Sequence, residues 1–413
     1  MSKNNENKLV PKLRFPEFQN EDDWRVDEVG NVFEVTRGYV LSMNLVSEEQ
    51  TESNPYPVYS SQTKNKGLAG YYKDFLYEDA ITWTTDGANA GDVNFRLGKF
   101  YCTNVCGVLV NSNGFANPCI AALINSVSRK HVSYIGNPKL MNGVMSKIKI
   151  PFPKIKEQQK IAACLSSLDE VITAESQKLD ILKDHKKGLL QNLFPQEGET
   201  VPKFRFKEFE DNGEWEIKSV ENNIDLISGI ALKSEELSDD NSGTPILRGI
   251  NITEGEVRHS DEMDKFYLGA VEAFEKYLVE ENDIVIAMDG SKVGKNVAMI
   301  SSKDAGAILI QRVARIRAIN SDIKYLYQQF LSTNFRNYVD VVNTSSGIPH
   351  ISAKQIRDFE IGFPPKIEEQ QKIAETLSSV DDLILAQNQK LEALQRHKKG
   401  LLQGLFPSIN NEE

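Results

Sequence analysis

With 413 residues and a formal charge of −11, the chain has room for two or more domains and is too acidic overall to coat nucleic acid indiscriminately. Four cysteines (Cys102, Cys106, Cys119, Cys164) lack CxxC spacing, and no histidine sits near the first two, which argues against zinc and for reduced thiols. No apolar run of 18 residues and no signal-peptide pattern is present, so neither a membrane span nor secretion is expected.

In chain order, an entrance segment comes first. Pro11 to Phe18 (PKLRFPEF) is followed by Trp24, and both return as Pro202 to Phe209 (PKFRFKEF) and Trp215, at an offset of 191. Behind each entrance lies a glycine-punctuated, β-rich interior. Tyr56-Pro-Val-Tyr-Ser and Thr244-Pro-Ile-Leu-Arg read as Pro-led strands running into polar loops. Ala80 to Thr85 and Asp283 to Met288 read as strands that end at the turns Asp86-Gly87 and Asp289-Gly290, with Gly91 and Gly294 beyond. Second strands follow at Val93–Leu97 and Val297–Ile300. YCTNVCGVLV and ILIQRVARIRA give another pair of strands, and amphipathic helices are expected near 117–130 and 322–338. Each interior is thus a compact mixed α/β domain with exposed polar loops.

The exits are the strongest signal. Residues 153–195 and 365–407 are one 43-residue segment written twice at an offset of 212, identical at 29 positions. From Ile161 the series Leu165, Leu168, Ile172, Glu175, Leu179, Leu182, Lys186, Leu189, Leu193 steps by four and three; Ile373 to Leu405 repeats it, with Gln387 and Lys398 as the polar members. A sustained heptad of this kind makes a coiled-coil seam, about 50 Å long. Burying eight apolar side chains per helix, at roughly 1.5–3 kcal/mol each, is enough to pair the two copies. Phe194-Pro195 and Phe406-Pro407 end the helices, because proline cannot continue them. A period this long lies outside solenoid repeats. The chain is a duplicated half-protein, with units at roughly 11–195 and 202–407 and divergent interiors.

Charge is distributed alike in both halves. Residues 11–52 carry 4 Lys/Arg against 10 Asp/Glu and residues 53–150 carry 10 against 5; residues 202–283 carry 9 against 21 and residues 284–360 carry 10 against 6. A basic patch on an acidic protein can hold phosphates locally. Catalysis is not expected. Asn54-Pro55-Tyr56-Pro57 has the wrong order for an adenine-methyltransferase loop, no nucleotide fingerprint is present, and Gly290-Ser-Lys-Val-Gly294-Lys295-Asn296 has three intervening residues where a P-loop has four.

The PK-[LF]-RF-x-EF…W entrances, the repeated KI-x-EQQKIA…HKKGLLQ-x-LFP exits and SSGIPHISAKQIRDF before the second exit together resemble the specificity subunit of type I restriction–modification systems, over nearly the whole length. The first half departs from GIPHI, offering NPKLMNGVM (Asn137 to Met145). The resemblance implies two DNA target-recognition domains, at 11–150 and 202–362. They are separated by helices at 151–195 and 363–407 that form an antiparallel coiled coil, in a pseudo-two-fold duplicated, mixed α/β (α+β) chain. It implies a non-catalytic cytoplasmic subunit that binds double-stranded DNA, each domain reading half of a split target. Two modification (methyltransferase) subunits and two restriction/motor subunits would be the partners, carrying S-adenosylmethionine, ATP and magnesium, with no cofactor or metal on this chain and no membrane contact. Split readout needs sensors held about a helical turn or more apart, and the helix pair spans roughly 15 base pairs.

Loop positions beside strand ends nominate the DNA contacts: Tyr59, Ser60, Gln62, Lys64, Asn65, Thr84, Thr85 and Asn89 in the first half. In the second they are Arg248, Asn251, Ser291, Lys292, Gln311, Arg312, Ser345, Ser346, His350 and Lys354. For the coiled coil, pairing polar seam residues with each other favours facing numbers that sum to 573, with Glu175 beside Lys398 and Lys186 beside Gln387; a sum of 566 gives ten layers but sets charges against leucines. The competing reading is a coiled-coil scaffold whose interiors bind protein or carbohydrate.

Overall fold

The computed structural model describes residues 9–61, 65–343 and 349–407, and these fall into two compact units, one of the residues up to 177 and from 389 onward, the other of those between. The strands of the first unit are β1 (Arg25–Glu28), β2 (Glu34–Arg37), β3 (Tyr56–Tyr59), β4 (Leu68–Tyr72), β5 (Tyr77–Thr84), β6 (Val93–Cys102), β7 (Cys106–Val110) and β8 (Lys149–Phe152). They make a six-stranded sheet in the order β2-β7-β5-β6-β3-β4 and a small β1-β8 pair. All neighbours run antiparallel except β3 and β6, which pair in parallel through Val58 with Tyr101 and Tyr59 with Cys102.

The second unit repeats the plan with β9 (Glu216–Ser219), β10 (Ile224–Ser228), β11 (Thr244–Leu247), β12 (Phe266–Tyr267), β13 (Ile284–Ala287), β14 (Val297–Met299), β15 (Ile308–Leu309), β16 (Val313–Ala318) and β17 (Glu360–Phe363). Here the order β10-β16-β13-β14 matches β2-β7-β5-β6, while β12-β11-β15 is a separate three-stranded sheet. The parallel pairing of β11 with β15, Ile246 with Ile308, is the counterpart of β3 with β6. The long strand β6 is therefore represented twice, by β14 and by β15, with the 301–306 turn inserted between. Further added residues lie at 248–264, longer than the loop after β3, and at the short helix Glu272–Tyr277. The length difference between the halves is spent on loops, where chain insertions cost little.

Helices cover one face of each sheet. In the first unit Asn117 caps Pro118–Ser128, its side chain accepting from Ile120 N. That helix buries Ile120, Leu123 and Ile124 against Ile81, Trp83 and Leu109. The single helix expected near 322–338 is two, Ile323–Leu331 and Thr333–Val342. Ser332 adopts extended backbone between them and caps the second, its hydroxyl accepting from Phe335 N. Their aromatic faces, with Tyr325, Phe330 and Phe335 fully buried, fill the second core.

The repeated exits form helices at Ile155–Leu193 and Ile367–Leu405. In the first unit Ile161 and Leu165 share a core with Leu401 and Leu405; in the second, Leu189 and Leu193 share one with Ile373 and Leu377. The helices run antiparallel within each unit, but not in the 573 register. Lys398 binds Asp169, Lys390 Nζ lies 2.6 Å from Glu175 and Lys186 Nζ lies 2.6 Å from Asp381, so paired numbers sum to 565 or 567. The 566 alternative holds because lysine stems lie along the seam while their ammonium groups reach flanking carboxylates. Glu175, Lys186 and Lys398 each meet a residue of opposite charge, which removes the argument for 573.

Candidate nucleic-acid interface

Three loops are knotted together at the same end of each sheet. In the first unit Thr85 follows β5; its N–H donates to Val105 O (3.0 Å), Leu140 N donates to Thr85 O (2.9 Å) and Gly87 N to Pro138 O (3.0 Å). Ser133 and Lys139 exchange two backbone bonds of 2.9 Å, closing a hairpin. The knot brings Lys139 Nζ to 3.6 Å from Asp86, whose other carboxylate oxygen lies 2.7 Å from the Thr85 hydroxyl.

The second unit ties the same knot from different side chains. Met288 N donates to Arg312 O (2.9 Å), Ile351 N to Met288 O (2.8 Å) and Gly290 N to Pro349 O (3.1 Å). Asp289 accepts from Arg312 at 2.6 Å and faces His350 across an antiparallel bridge. Thr85, Asp86, Val105 and Lys139 thus occupy the places of Met288, Asp289, Arg312 and His350. A further strand-end glycine crosses beside each knot. A Cβ on Gly38 would lie 2.1 Å from Cys102 O, and one on Gly229 would lie 2.1 Å from Ile310 O, so only glycine fits either crossing.

The sequence-nominated residues divide by burial. Asn65, Ser291, Lys292, Gln311, Arg312, His350 and Lys354 are exposed, and Ser60, Thr84 and Asn89 are half-buried. Lys354 pairs with Asp358 at 2.6 Å, and Ser60 accepts from the Thr103 hydroxyl. Tyr59 is a platform: the Arg96 guanidinium stacks 3.7 Å from its ring centroid. Arg248 donates to Met263 O and is half-buried. Thr85 and Asn251 are 5% and 1% exposed. The Thr85 hydroxyl also lies 3.0 Å from Val105 O, while the Asn251 amide spans Arg248 N, Arg258 O and Asp264; both hold loops together and offer nothing to a ligand. Gln62, Lys64, Ser345 and Ser346 lie outside the described residues.

Sequence reasoning passed over Lys139, Lys66 and Arg96. Lys139 stands where the second half has His350, and the shared proline of Asn137-Pro138-Lys139 and Ile348-Pro349-His350 was the available signal. Arg96 is 8% exposed; it donates to the Thr82 hydroxyl (2.9 Å) and Lys66 O (2.6 Å), fastening the loop after β3 to the sheet. Burial pulls its pKa down, against the opposing influence of Tyr59. Residues 93–156 hold nine Lys/Arg and no acid, and of these Arg129 meets Asp92, Lys139 meets Asp86 and Lys154 meets Glu21 and Asp22. The second unit likewise pairs basic residues within the protein: Arg315 meets Asp225, Arg317 meets Asp283 and Glu280, and Arg336 meets Glu254.

Burial raises the thiol pKa of Cys102, Cys106 and Cys119, that of Cys106 to about 11, so these are packing residues and not thiolate nucleophiles. Among the described residues no cluster of His, Cys, Asp or Glu could hold a metal, and no helix is long and apolar enough to cross a membrane.

Two copies of one mixed α/β domain, each followed by the same long helix and each presenting the same loop knot, define a duplicated recognition protein. The family model for the type I restriction modification DNA specificity domain matches residues 21–184 and 212–396, and the chain belongs to that family, one copy of the domain in each half. It is 26% identical over 412 residues to the type I restriction enzyme MjaVIII specificity subunit of Methanocaldococcus jannaschii, covering 94% of this chain and 92% of that protein. A putative type I specificity subunit of Mycoplasma pneumoniae, S.MpnORF289P N-terminus, is 38% identical over 143 residues, 34% of this chain and 75% of its own. In fold the chain resembles the crystal structure of the type I restriction–modification system S subunit from M. genitalium, with TM-score 0.66, 15% identity and coverage of 97% and 100%.

Proposed function

We propose that this member of the specificity family is the DNA-reading, non-catalytic subunit of a cytoplasmic type I restriction–modification complex, each unit reading one half of a bipartite duplex target. The observation that carries the reading is the duplicated knot, which puts Asp86 with Lys139 and Asp289 with Arg312 and His350 at equivalent loop positions. Ser60, Asn65, Thr84, Asn89, Ser291, Lys292, Gln311 and Lys354 complete the two contact surfaces. Phosphate contacts would fix register and base-edge contacts would select sequence. The seam helices dock two modification subunits, which carry S-adenosylmethionine, and two restriction/motor subunits supply ATP- and magnesium-dependent cleavage.

The test is a gel shift against a pool of duplexes, with and without the partner methyltransferase, followed by a transfer assay with labelled methyl donor. Sequence-selective retention with no methyl transfer by this chain alone is expected. Methylation by the isolated polypeptide, or retention of a protein or glycan ligand with no duplex retained, would overturn the reading.

A further inference from the structure

We propose that the Asp–cation couples, Asp86 with Lys139 and Asp289 with Arg312, are specificity-determining pairs that each read a G·C base pair; this rests on the DNA-reading function above and assigns its chemistry at one position per half-site.

The backbone knot and its aspartate are the same in both units, yet the cation comes from different loops. Val105 stands at the place of Arg312, and Lys139 at the place of His350. A cation needed only to fasten the knot would have no reason to survive this exchange, since three backbone hydrogen bonds already close each copy. What both units retain is a carboxylate beside one permanent positive charge at the mouth of the loops.

Backbone conformation points the same way. Arg312 has φ 68°, a left-handed conformation that bulky side chains rarely adopt, and such outliers gather at functional positions. Its side chain is 64% exposed and gives one N–H to Asp289, while a guanidinium carries five donors. Lys139 is likewise 51% exposed beside its aspartate.

The chemistry then selects the ligand. In the major groove guanine offers two acceptors, O6 and N7, and the paired cytosine offers the N4 amine. An arginine or lysine supplies donors to the first and an aspartate accepts from the second, so a couple held side by side matches both bases of one pair. Against a backbone phosphate the same aspartate is repulsive, which lowers non-specific affinity.

The experiment uses the complex with its methyltransferase and maps methylation over duplexes randomised across the target. The wild-type consensus should contain a G·C pair in each half-site. Arg312→Ala should relax that pair in one half-site only, with discrimination falling from about 5- to 150-fold toward unity, and Lys139→Ala should relax the other. Asp289→Asn and Asp86→Asn, which preserve shape, should relax the same positions and steepen the salt dependence of non-specific binding. Melting curves separate misfolding from lost readout, and the asparagine variants decide should an alanine variant not fold. A half-site without G·C, or variants that weaken all sequences equally while keeping the full consensus, would overturn the assignment. A wild-type complex with no sequence preference would instead remove the DNA-reading function itself.

Discussion

Arg14 grips Glu157 through two parallel bonds of 2.8 Å, 143 residues apart in sequence, and both side chains are almost fully buried. Trp24 Nε1 adds a third donor at 3.1 Å, Arg14 Nη1 donates to the carbonyl of Glu21, and Nη2, already on Glu157, donates also to that of Asp22. Arg205, Glu369 and Trp215 repeat the arrangement at 2.8, 2.8 and 3.3 Å. The entrance motif therefore exists to close on the first turn of its own half's helix. The next residue of that turn reaches further: Gln158 accepts from Asn117, the cap of the interior helix, and Gln370 accepts from Asp322 N, its counterpart. The repeated Glu-Gln pair fastens each domain to its helix.

Removing one partner strands the other without water. Glu157→Ala leaves a buried guanidinium without its counter-charge, held only by two backbone carbonyls, and a buried indole N–H unpaired, and should cost about 3–5 kcal/mol; Glu369→Ala should cost the same. Arg14→Leu with Glu157→Leu should lose less than the two single changes together, because no lone charge remains. Urea unfolding of the four proteins measures this, and additive losses would show that the pair is not coupled.

The duplicated helices, the entrances and the Asp-Gly turns were legible because identity, heptad spacing and turn chemistry are local signals. Arg14 with Glu157 was not, since the entrance repeats at one offset and the helix at another, and nothing local links them. The register is not legible from the seam positions alone for a physical reason: a seam lysine is not a fixed charge, and Lys186 and Lys398 reach sideways to Asp381 and Asp169. Asn251 looked like a surface reader because asparagine is frequent in polar loops. Its amide does there what such side chains commonly do in turns, satisfying local backbone groups. Lys139 was hidden by a loop that shares little beyond a proline with its counterpart.

The 566 register places Ile172 opposite Leu394, and the 573 register would place it opposite Leu401. Cysteines at 172 and 394 should cross-link rapidly under mild oxidation, while cysteines at 172 and 401 should not, given the short reach of a disulfide. Charge reversal offers an independent check. Lys398→Glu should weaken the protein by about 0.2–1 kcal/mol and Asp169→Lys in the same chain should restore it, as expected for a partly exposed pair. Preferential cross-linking of 172 to 401 would reinstate the rejected register.

His259 lies 3.2 Å from Asp264 and 2.7 Å from Asp304, joining the 251–264 loop to the 301–306 turn. Partial burial pulls its pKa down, but the hydrogen bonds and charges of Asp304 and Asp264 prevail and the net shift is upward from 6.5. A histidine whose folded pKa is raised contributes stability that is complete below the unfolded value and is lost as pH rises through the folded value. The loop should therefore be best protected from hydrogen exchange below about pH 6 and open progressively above the raised pKa. His259→Ala should abolish that pH dependence. An imidazole titration midpoint at or below the ordinary histidine value would refute the clasp.

The observed register also says what half of this protein should do alone. Lys398 and Asp381 are the repeats of Lys186 and Asp169, so the two ion pairs Lys398–Asp169 and Lys186–Asp381 are one interaction seen twice. In a dimer of residues 1–195, Asp169 of each copy would meet Lys186 of its mate. Glu175, which meets Lys390 in the intact chain, would meet Lys178 of the mate, the repeat of Lys390. The entrance would also find a seat: Leu13 N donates to Gly404 O at 2.8 Å, and Phe204 N donates to Asn192 O at 2.8 Å in the equivalent contact. One mismatch opposes this, because a Cβ at position 404 would lie 2.4 Å from the Leu13 side chain, and Asn192 carries one. Leu13 is half exposed and can turn away, so the mismatch should weaken the dimer without preventing it. A two-fold dimer presents two identical reading domains, and with its methyltransferase the fragment should modify a palindrome built from one half-site in place of the asymmetric target. Sedimentation at micromolar concentration and methylation mapping give the answer. Asp169→Lys should dissociate the dimer and Asp169→Lys with Lys186→Asp should restore it; a monomeric wild-type fragment, or unchanged modification of the asymmetric site, would break the link between sequence repeat and structural symmetry.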